Sequence, residues 1–446
     1  MSQNEISSPY DYGYHKISIE GPRFNSVNIE HLVLEISLYE NLGSPFVSGN
    51  MIILDSANLS NHVNFMGQEK IKIELYDPYE QQFVVKSFVT TGVKRSEKTS
   101  DNASSIIVSF VEEHVTLSNI TRFSKTYEGK IETIISDILA DQLNVQVQTD
   151  TSAQAVMRYI APYTISPLKA VNMLRRRATS TNGAPFFLYS SIKRPGLRLA
   201  NLETLISQPS FNNQPFIYSI VTDPEYSEYS YSVENMEDQS HKIRSLNIMD
   251  NEDVARLFEE AGFGAQYLWL DTIKDIATEL RHRSPEVLRR LPKMNGDINY
   301  DDNFTVGGKP YHEGVSKYTT EITTKYLFDN INSLKEEVVI DDHMRKAQDR
   351  SIRSMLSKAP MTVQLPGYQF FENEAIGKVI NLEIPKDIPI MDEAAVGEDV
   401  IDKKRSGRYL VYGTRHLFKN GQYSANLNVT KLDNKDSIKN ETVNQV

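Results

Sequence analysis

Apolar and polar residues alternate along roughly the first 120 residues with the period of two that is typical of half-buried β-strands. Ile71, Ile73 and Leu75 alternate with charged neighbours, and the stretch Leu32–Leu38 repeats the alternation with apolar residues at 32, 34, 36 and 38. Further strands are predicted at Val47–Leu54, Phe83–Val93 and Ile106–Val111, with a turn-rich stretch at Ser96–Ser104. Such strands bury one face only, as antiparallel sheets do. Residues 1–120 are therefore predicted to form a β-barrel or sandwich.

After Thr121 the period becomes helical. A helix is predicted from the apolar residues Ile131, Ile134, Ile135, Ile138 and Leu139. A second helix is predicted to begin at Ser166, a good N-cap, with Pro167 at its first position. Its inward residues are Leu168, Val171 and Leu174. A break at Thr179–Gly183, a buried strand at Ala184–Tyr189 and a helical turn at Asn201–Ile206 complete a mixed α/β domain over residues 121–240.

The third region, residues 241–432, returns to strands after an insertion around residues 280–335. A helix is predicted at Asn251–Gly262, and Gln266–Leu270 is predicted as a strand, with a longer helix reaching Arg281 as the alternative. Asn295–Gly314 is predicted as a surface loop, and Asp341–Lys358 as a helix with Met344, Ala347, Met355 and Leu356 inward.

The end of the chain carries the strongest hairpin signal. Asn420-Gly421 lies between Tyr409–Phe418 and Tyr423–Leu432, and Asn-Gly is the preferred pair of a two-residue hairpin turn. Before it, Met361–Leu365 and Gly377–Ile384 are predicted as strands around a turn at Pro366–Gly367, and Lys386–Gly407 as an acidic loop insertion. Residues 433–446 are polar and predicted to be a disordered tail. The predicted fold class is α+β, with two β-domains, a mixed middle and an inserted domain.

Composition and net charge exclude several classes of function. The chain of 446 residues is expected to form two to four domains, and its net charge of −11 argues against a protein that reads nucleic acid. There is no cysteine, which excludes disulfides, thiolate nucleophiles and Cys-ligated zinc. No stretch is apolar enough for a membrane span, and the first residues do not resemble a signal peptide.

No catalytic, cofactor or metal motif is found. The chain lacks a nucleophile elbow and a phosphate-binding loop, and its histidines show no metal-binding spacing. Asp297–Asp301 begins like a calcium loop, but Asp302 and Gly308 stand where glycine and glutamate are needed. No pair of carboxylates is singled out for glycoside hydrolysis. The expectation is no catalytic residue, no cofactor and no metal.

The sequence contains two clusters of basic residues that could bind a partner. They are Arg175, Arg176 and Arg177, and the stretch Arg281–Lys293, which contains Arg289 and Arg290. Solvated helix faces are the ordinary interpretation of such clusters. If they have a function, the expected one is docking to an acidic neighbouring subunit.

Four segments, in this order, resemble the baseplate hub proteins of contractile-tailed bacteriophages of the T-even-like type. They are Glu40–Asp55 with Gly67–Glu69, Ser166–Ser191, Met361–Pro385 and Gly407–Asp433. The resemblance implies a structural virion protein of the tail baseplate, assembled in the host cytoplasm, and not an enzyme. It implies a homotrimer in which two tail-tube-like β-domains per chain form a ring of six similar domains. The implied partners are the hexameric tail tube or its initiator above the ring, other baseplate proteins above and around it, and a trimeric spike below it. The ring would be a conduit through which viral DNA passes without specific binding.

Two alternatives stay open at this point. One is a hub with its own peptidoglycan-hydrolase activity, and the other is the hub of a related contractile injection or secretion device. The segments Lys274–Tyr326 and Lys386–Gly407 are more polar or longer than the resemblance suggests. No spike-like repeat or lysozyme-like domain is recognised, so the piercing element is expected to be another chain.

Overall fold

The computed structural model of this chain is dominated by antiparallel β-sheet, with a few short helices. It describes residues 8–10, 15–55, 65, 67–77, 82–100, 103–150, 156–180, 182–212, 214–218, 239–248, 264–271, 276–283, 305–310, 317–322, 328–329, 345–350, 352–353, 356, 361–386 and 401–434. This confirms a β-dominated fold with helices; the barrel or sandwich form of each predicted domain stays a prediction.

The described strands are numbered in chain order. They are β1 (His15–Gly21), β2 (Phe24–Asn28), β3 (Val33–Asn41), β4 (Ser48–Asp55), β5 (Lys70–Asp77), β6 (Gln82–Ser100), β7 (Ala103–Glu112), β8 (Thr126–Lys130), β9 (Val147–Thr149), β10 (Val156–Ile160), β11 (Phe186–Tyr189), β12 (Leu197–Asn201), β13 (Phe216–Ile217), β14 (Ser245–Ile248), β15 (Gly264–Asp271), β16 (Ile276–Arg283), β17 (Thr305–Val306), β18 (Lys309–Pro310), β19 (Lys317–Ile322), β20 (Phe328–Asp329), β21 (Met361–Pro366), β22 (Val379–Glu383), β23 (Gly407–Lys419) and β24 (Gln422–Asn434). The helices are α1 (Glu113–Ile120), α2 (Ile131–Leu143), α3 (Pro167–Arg175), α4 (Leu202–Ile206) and α5 (Gln369–Glu372), with a 3-10 turn at Glu30–Leu32 and helical backbone at 345–350.

The main sheet joins strands from both ends of the chain. Its path runs β14-β21-β24-β23-β3-β4-β7-β6-β5-β1-β2, and β22 pairs with both β23 and the short β13. We call β1–β7 the first β-region, and β14 with β21–β24 the second β-region. A single hydrophobic core cluster draws buried residues from both, including Ile17 and Val108 from the first and Val363 and Leu427 from the second. The two β-regions therefore share one sheet and one core.

The middle region, residues 113–212, packs helices against two small sheets. These sheets have the strand orders β20-β10-β8 and β11-β12-β9. The predicted helix over Ile131–Leu139 is confirmed as α2, whose five predicted inward residues are all buried. It ends at Asn144 in the left-handed conformation, with φ 54°, which closes a helix at its C′ position. A second core cluster lies between α2, α3 and the strands of this region.

The predicted helix at Ser166 is confirmed as α3, but one detail of it is wrong. Ser166 is the N-cap residue in extended conformation and Pro167 opens the helix, yet the Ser166 side chain makes no capping hydrogen bond. Val171 and Leu174 are buried as predicted, and Leu168 is half-buried. The strand Ala184–Tyr189 and the helical turn Asn201–Ile206 are confirmed as β11 and α4.

Two strand predictions need correction. Leu34 is exposed, because the register of β3 against β4 shifts between Val33 and Glu35 and turns its side chain away from the core. The stretch Ser96–Ser104 is mostly strand, since β6 continues to Ser100 and β7 begins at Ala103. The strands predicted at Met361–Leu365 and Gly377–Ile384 are confirmed as β21 and β22; α5 lies between them, and they pair with different strands.

The predictions for the inserted segment are tested only in part. Gln266–Leu270 is a strand, β15, and the backbone at Ile276–Arg283 is the strand β16, so the alternative of a long helix is wrong. The predicted loop Asn295–Gly314 contains the β17–β18 hairpin. Within the predicted helix Asp341–Lys358, Ala347 and Leu356 are buried. The helix Asn251–Gly262, Asp297–Asp301, most of Lys386–Gly407 and the tail beyond Asn434 lie outside the described residues.

Candidate functional site at the junction of the two β-regions

The two β-regions meet where β3 pairs with β23. The pairing is antiparallel and runs without a register shift from Asn41 opposite Gly413 to Glu35 opposite Lys419. We call this pairing the seam. Because side chains alternate across a strand, the seam has a core face and a polar face. Ile36, Leu38 and Glu40 belong to the core face, and Glu35, Ser37 and Tyr39 to the polar face.

The core face of the seam carries a buried polar network. Glu40 of β3 and His416 of β23 place Oε2 and Nε2 3.3 Å apart, with side chains 1% and 2% exposed. The two atoms lie at ion-pair distance, although they miss the angle of a hydrogen bond. His416 Nδ1 lies 2.8 Å from the Tyr423 hydroxyl on β24. Burial raises the pKa of Tyr423 well above its ordinary value, which keeps this hydroxyl protonated.

A loop of the middle region completes this network. The segment Ser190–Gly196 connects β11 to β12, and we call it the junction loop. The backbone N–H of Ile192 donates to Glu40 Oε1 at 2.6 Å, while the Ile192 side chain is buried in the core shared by the two β-regions. A hydrogen bond to a buried carboxylate is stronger than one between neutral groups. Glu40 thus fixes the junction loop to the seam.

A second buried carboxylate, Glu112, holds the junction loop to the first β-region. Its Oε1 accepts from the backbone N–H of Val47 at 3.2 Å and from the Ser190 hydroxyl at 3.5 Å. Lys86 Nζ lies 3.5 Å from the same oxygen and also donates to the carbonyl oxygen of Arg194 at 3.2 Å. These contacts place strands β6 and β7 against the junction loop.

The junction loop also reaches the second β-region. Arg194 Nε lies 2.9 Å from Glu374 Oε1, just before β22, and its guanidinium donates to Gln148 at 3.1 Å. Burial raises the pKa of Glu374 and lowers that of Lys378, so both charges are partly removed from water. The junction loop therefore contacts both β-regions and the middle region at once.

An apolar cleft lies beside this network. It is lined by residues of all three regions: Leu75, Tyr76, Val84, Ile192, Lys193, Phe370, Phe418 and Tyr423. The rings of Phe418 and Tyr423 are stacked, with centroids 4.5 Å apart. The N-terminal segment adds a further contact, since the backbone N–H of Tyr423 donates to the carbonyl oxygen of Tyr10 at 2.6 Å.

The basic residues predicted for docking are found in different environments. Arg175 is buried, donating to the carbonyl oxygen of Phe186 at 3.1 Å and lying 3.3 Å from Asp349. Burial lowers the pKa of Arg175 and raises that of Asp349 to about 6. Arg177 is also buried and donates to the carbonyl oxygen of Met173.

Arg176 is the exposed member of this cluster, and Arg289 and Arg290 lie outside the described residues. Arg175 and Arg177 are buried and bind groups of this chain. Docking of a neighbouring subunit stays a prediction for the others.

The geometry at the junction fits a structural role. Glu40, Glu112 and His416 each contact groups of this chain, with short distances to backbone N–H groups or to other side chains. Among the described residues, no group of three or more His, Asp or Glu side chains could hold a metal ion. The amino-acid sequence alone does not predict this network, because its members lie far apart along the chain. One available signal was the carboxylate Glu40 at an inward position of an otherwise apolar strand face.

The helices that the structure describes include none with the length and apolar character needed to cross a bilayer.

The chain was compared with known proteins. No protein-family model matches it, and no curated protein sequence matches it either. Among solved structures, it resembles a prophage MuSo2 43 kDa tail protein from Shewanella oneidensis, with 10% identity, a TM-score of 0.48, and 94% of this chain and 98% of that one covered. It also resembles a tail protein from Neisseria meningitidis, with 9% identity, a TM-score of 0.46, and coverage of 94% and 96%.

A third similar structure belongs to an Escherichia coli protein. That protein is described as a component of the type VI secretion system with structural similarity to T4 bacteriophage tail proteins. Its identity to this chain is 11% and its TM-score is 0.38, with coverage of 90% of this chain and 73% of that one. The structures that this chain resembles thus include phage-type tail proteins and a secretion-system component.

Proposed function

We propose that this chain is a structural protein, the central hub of a contractile phage-type tail baseplate. Three copies form a ring that adapts a hexameric tail tube on one side to a trimeric spike on the other, and the ring is a conduit for DNA. The domain boundaries predicted from the sequence belong to this proposal: residues 1–120 and 241–432 are the two tube-like domains, and residues 121–240 lie between them.

The observation that carries the proposal is the seam. Two β-regions that lie on opposite sides of the middle region in sequence share one continuous sheet, through the pairing of β3 with β23. A trimer of such chains contains six β-regions. In a ring of six β-regions there are six contacts between neighbouring β-regions. Three of these contacts are the seams inside the chains, and the other three join different chains. This is how a threefold assembly can present six similar modules to a hexameric tube.

The ends of the sheet support the same proposal. Along the described path, β2 and β14 are the terminal strands, and each has one neighbour only. Unpaired strand edges favour pairing with another chain, and native proteins usually cover them. If the β2 edge of one copy contacts the β14 edge of the next, the interface is head-to-tail. Such interfaces close into a ring when the rotation between successive copies divides a full turn evenly.

The buried network explains how the ring would keep its shape. Glu40, His416 and the junction loop fix the angle between the two β-regions within one chain. A ring closes only if this angle is the same in each copy, so a rigid junction is a functional requirement. Of the basic clusters, Arg176, with Arg289 and Arg290, is proposed to dock an acidic neighbouring subunit.

The proposal is tested by the mass of the purified full-length chain in solution, measured by light scattering over a range of concentrations, alone and with the trimeric spike protein from the same tail. A trimer that binds one spike trimer is expected. A monomer at every concentration that does not bind the spike would contradict the proposal. Cell-wall suspensions incubated with the same preparation should keep their turbidity, because no hydrolytic site is proposed.

A further inference from the structure

The helices α1 and α3 contact each other in the middle region, and the chain around this contact has an unusual charge balance. The two segments that form it, residues 114–127 and 161–180, hold six Lys or Arg residues and no Asp or Glu. The whole chain has the opposite balance, with 59 Asp and Glu against 48 Lys and Arg. A basic surface without carboxylates of its own is therefore exceptional in this protein.

Half of these cations are bound within the chain. Lys125 forms an ion pair with Asp141 of α2, and Arg175 and Arg177 are buried. The other three are exposed, and within the described part of the chain none of them has a carboxylate at ion-pair distance. They are Arg122, Lys169 and Arg176.

Two large apolar side chains are also exposed here. Ile120, the last residue of α1, and Tyr163, just before α3, are each 75% exposed. Tyr163 lies in a turn in which the backbone N–H of Ile165 donates to the carbonyl oxygen of Pro162 at 3.0 Å. Tyr and Arg are enriched at protein interfaces, so an exposed tyrosine beside unpaired cations is typical of a binding surface.

Hydrogen bonds at two points hold the two segments side by side. The backbone N–H of Leu168 donates to the Ser118 hydroxyl at 3.0 Å, and the backbone N–H of Ala161 donates to the carbonyl oxygen of Lys125 at 3.0 Å. Residues 119–124 of one segment and residues 162–167 of the other lie between these points. The exposed side chains of the two stretches are therefore neighbours.

The α3 helix extends the same surface. Lys169 follows Leu168 directly, and Arg176, the C-cap residue of α3, lies seven residues further, which is two turns along the same side of a helix. We call the five exposed residues the basic patch. They are Ile120, Arg122, Tyr163, Lys169 and Arg176.

The composition of the basic patch indicates the chemistry of its partner. Cations attract carboxylates, but solvated ion pairs alone contribute little affinity. Ile120 and Tyr163 add affinity when a partner covers them with an apolar side chain of its own. The phosphates of a nucleic acid would contact the cations and leave both apolar side chains in water. A protein segment with carboxylates around an apolar side chain therefore fits better than nucleic acid.

We propose that the basic patch binds an acidic segment of a neighbouring protein, in which carboxylates surround at least one apolar or aromatic side chain. That this neighbour is another component of the same tail rests on the proposed function. The chemistry of the segment rests on the patch alone, so the two can be tested separately.

Binding of short fluorescein-labelled peptides to the full-length chain, followed by fluorescence anisotropy, tests the inference. Two peptides carry the same number of Asp and Glu residues, and one has Leu and Phe at its centre where the other has Ser. A short DNA duplex with the same label is the third probe. Lys169→Glu/Arg176→Glu and Ile120→Ser change the patch. Arg23→Glu/Lys94→Glu and Val85→Ser are the matched controls, at exposed positions of the first β-region.

The apolar acidic peptide is expected to bind at least about tenfold more tightly than the Ser peptide, because Leu and Phe leave water on binding. Lys169→Glu/Arg176→Glu should weaken its binding by at least about tenfold, since attraction becomes repulsion at two positions. Ile120→Ser should remove most of the difference between the two peptides. Both control variants should bind as the unchanged chain does.

Four results would overturn the inference: no binding of the apolar peptide, equal binding of both peptides, binding that the patch variants leave unchanged, or DNA binding as tight as that of the apolar peptide. The mass of each sample is measured in parallel. A trimer that does not bind the apolar peptide would overturn the inference and leave the proposed function intact. A monomer that binds this peptide through the patch would contradict the proposed function and support the inference.

Discussion

Glu40 and His416 face each other across the seam, with Oε2 and Nε2 3.3 Å apart and both side chains almost fully buried. They belong to strands from opposite ends of the chain, β3 and β23. Replacing a buried pair by apolar residues is often tolerated, whereas removing one partner leaves an uncompensated polar group and is costly. We therefore expect arrangements of the two β-regions that separate Glu40 from His416 to be less stable than the native one.

A double-mutant cycle measures this coupling. Glu40→Gln keeps an oxygen for the N–H of Ile192 but loses the carboxylate, and should lower the free energy of unfolding by about 3 kcal/mol. With His416→Gln as the second change, we expect a coupling energy of about 1–3 kcal/mol from urea unfolding. The matched control is the pair Glu35 and Arg415 on the polar face of the same seam. Its coupling should stay below about 1 kcal/mol, because the Arg415 side chain is 37% exposed and water screens the pair. Equal coupling in the two cycles would contradict a special role for the buried pair.

Local patterns predicted much of the fold and little of the junction. The Asn420-Gly421 turn is confirmed, with φ of 51° and 74°, because this dipeptide accepts positive φ at both positions. The buried side of β24 follows the predicted alternation from Tyr423 to Val429. The helix α2 is confirmed for a similar reason, since its apolar residues recur at helical spacing.

The seam could not be predicted in this way. β3 and β23 are hundreds of residues apart, and no local period reports which strands become neighbours. The same limit explains Arg175, which looks like a surface cation in a basic run but pairs with Asp349 from a distant helix. The junction loop is not predictable locally, because the stretch Ser190–Gly196 shows no periodic pattern of apolar residues. Its role comes from the carboxylates Glu40 and Glu112, contributed by other strands.

Close packing at Gly367 leads to a second prediction. A Cβ atom at this position would lie 2.0 Å from Cδ1 of the Tyr423 ring, which is itself fully buried. Gly367→Ala should therefore lower the free energy of unfolding by about 1–3 kcal/mol, the usual cost of overpacking a core. Gly92→Ala is the control, because a Cβ there would meet no atom within 4 Å. Thermal unfolding followed by circular dichroism should show a loss for Gly367→Ala alone; similar losses for both would mean that the contact with Tyr423 is not the cause.

Buried tyrosines predict a loss of stability in alkali. Burial raises the pKa of Tyr159 from 10.0 to about 12, and it also raises the pKa values of Tyr189, Tyr409 and Tyr423. Between pH 10 and 12 the folded state therefore holds more protons than the unfolded state. Its stability is complete below pH 10 and falls as the pH rises through 12.

Tyrosinate absorbance during an alkaline titration checks this. We expect these tyrosines to ionise together with loss of the folded structure, in one cooperative step. Tyr159→Phe should move the midpoint to higher pH, and Tyr163→Phe, at a position that is 75% exposed, should leave it unchanged. Gradual ionisation of Tyr159 in a chain that stays folded would show that its side chain is more accessible than the structure indicates.

The most direct test of the account is an image of the purified full-length chain in projection down its symmetry axis, by electron microscopy of single particles. A ring of three chains, each with one internal seam, should show threefold symmetry, six similar lobes and an open centre. A particle without a central hole, or one in which the two β-regions of each chain lie one above the other instead of side by side around the ring, would contradict it.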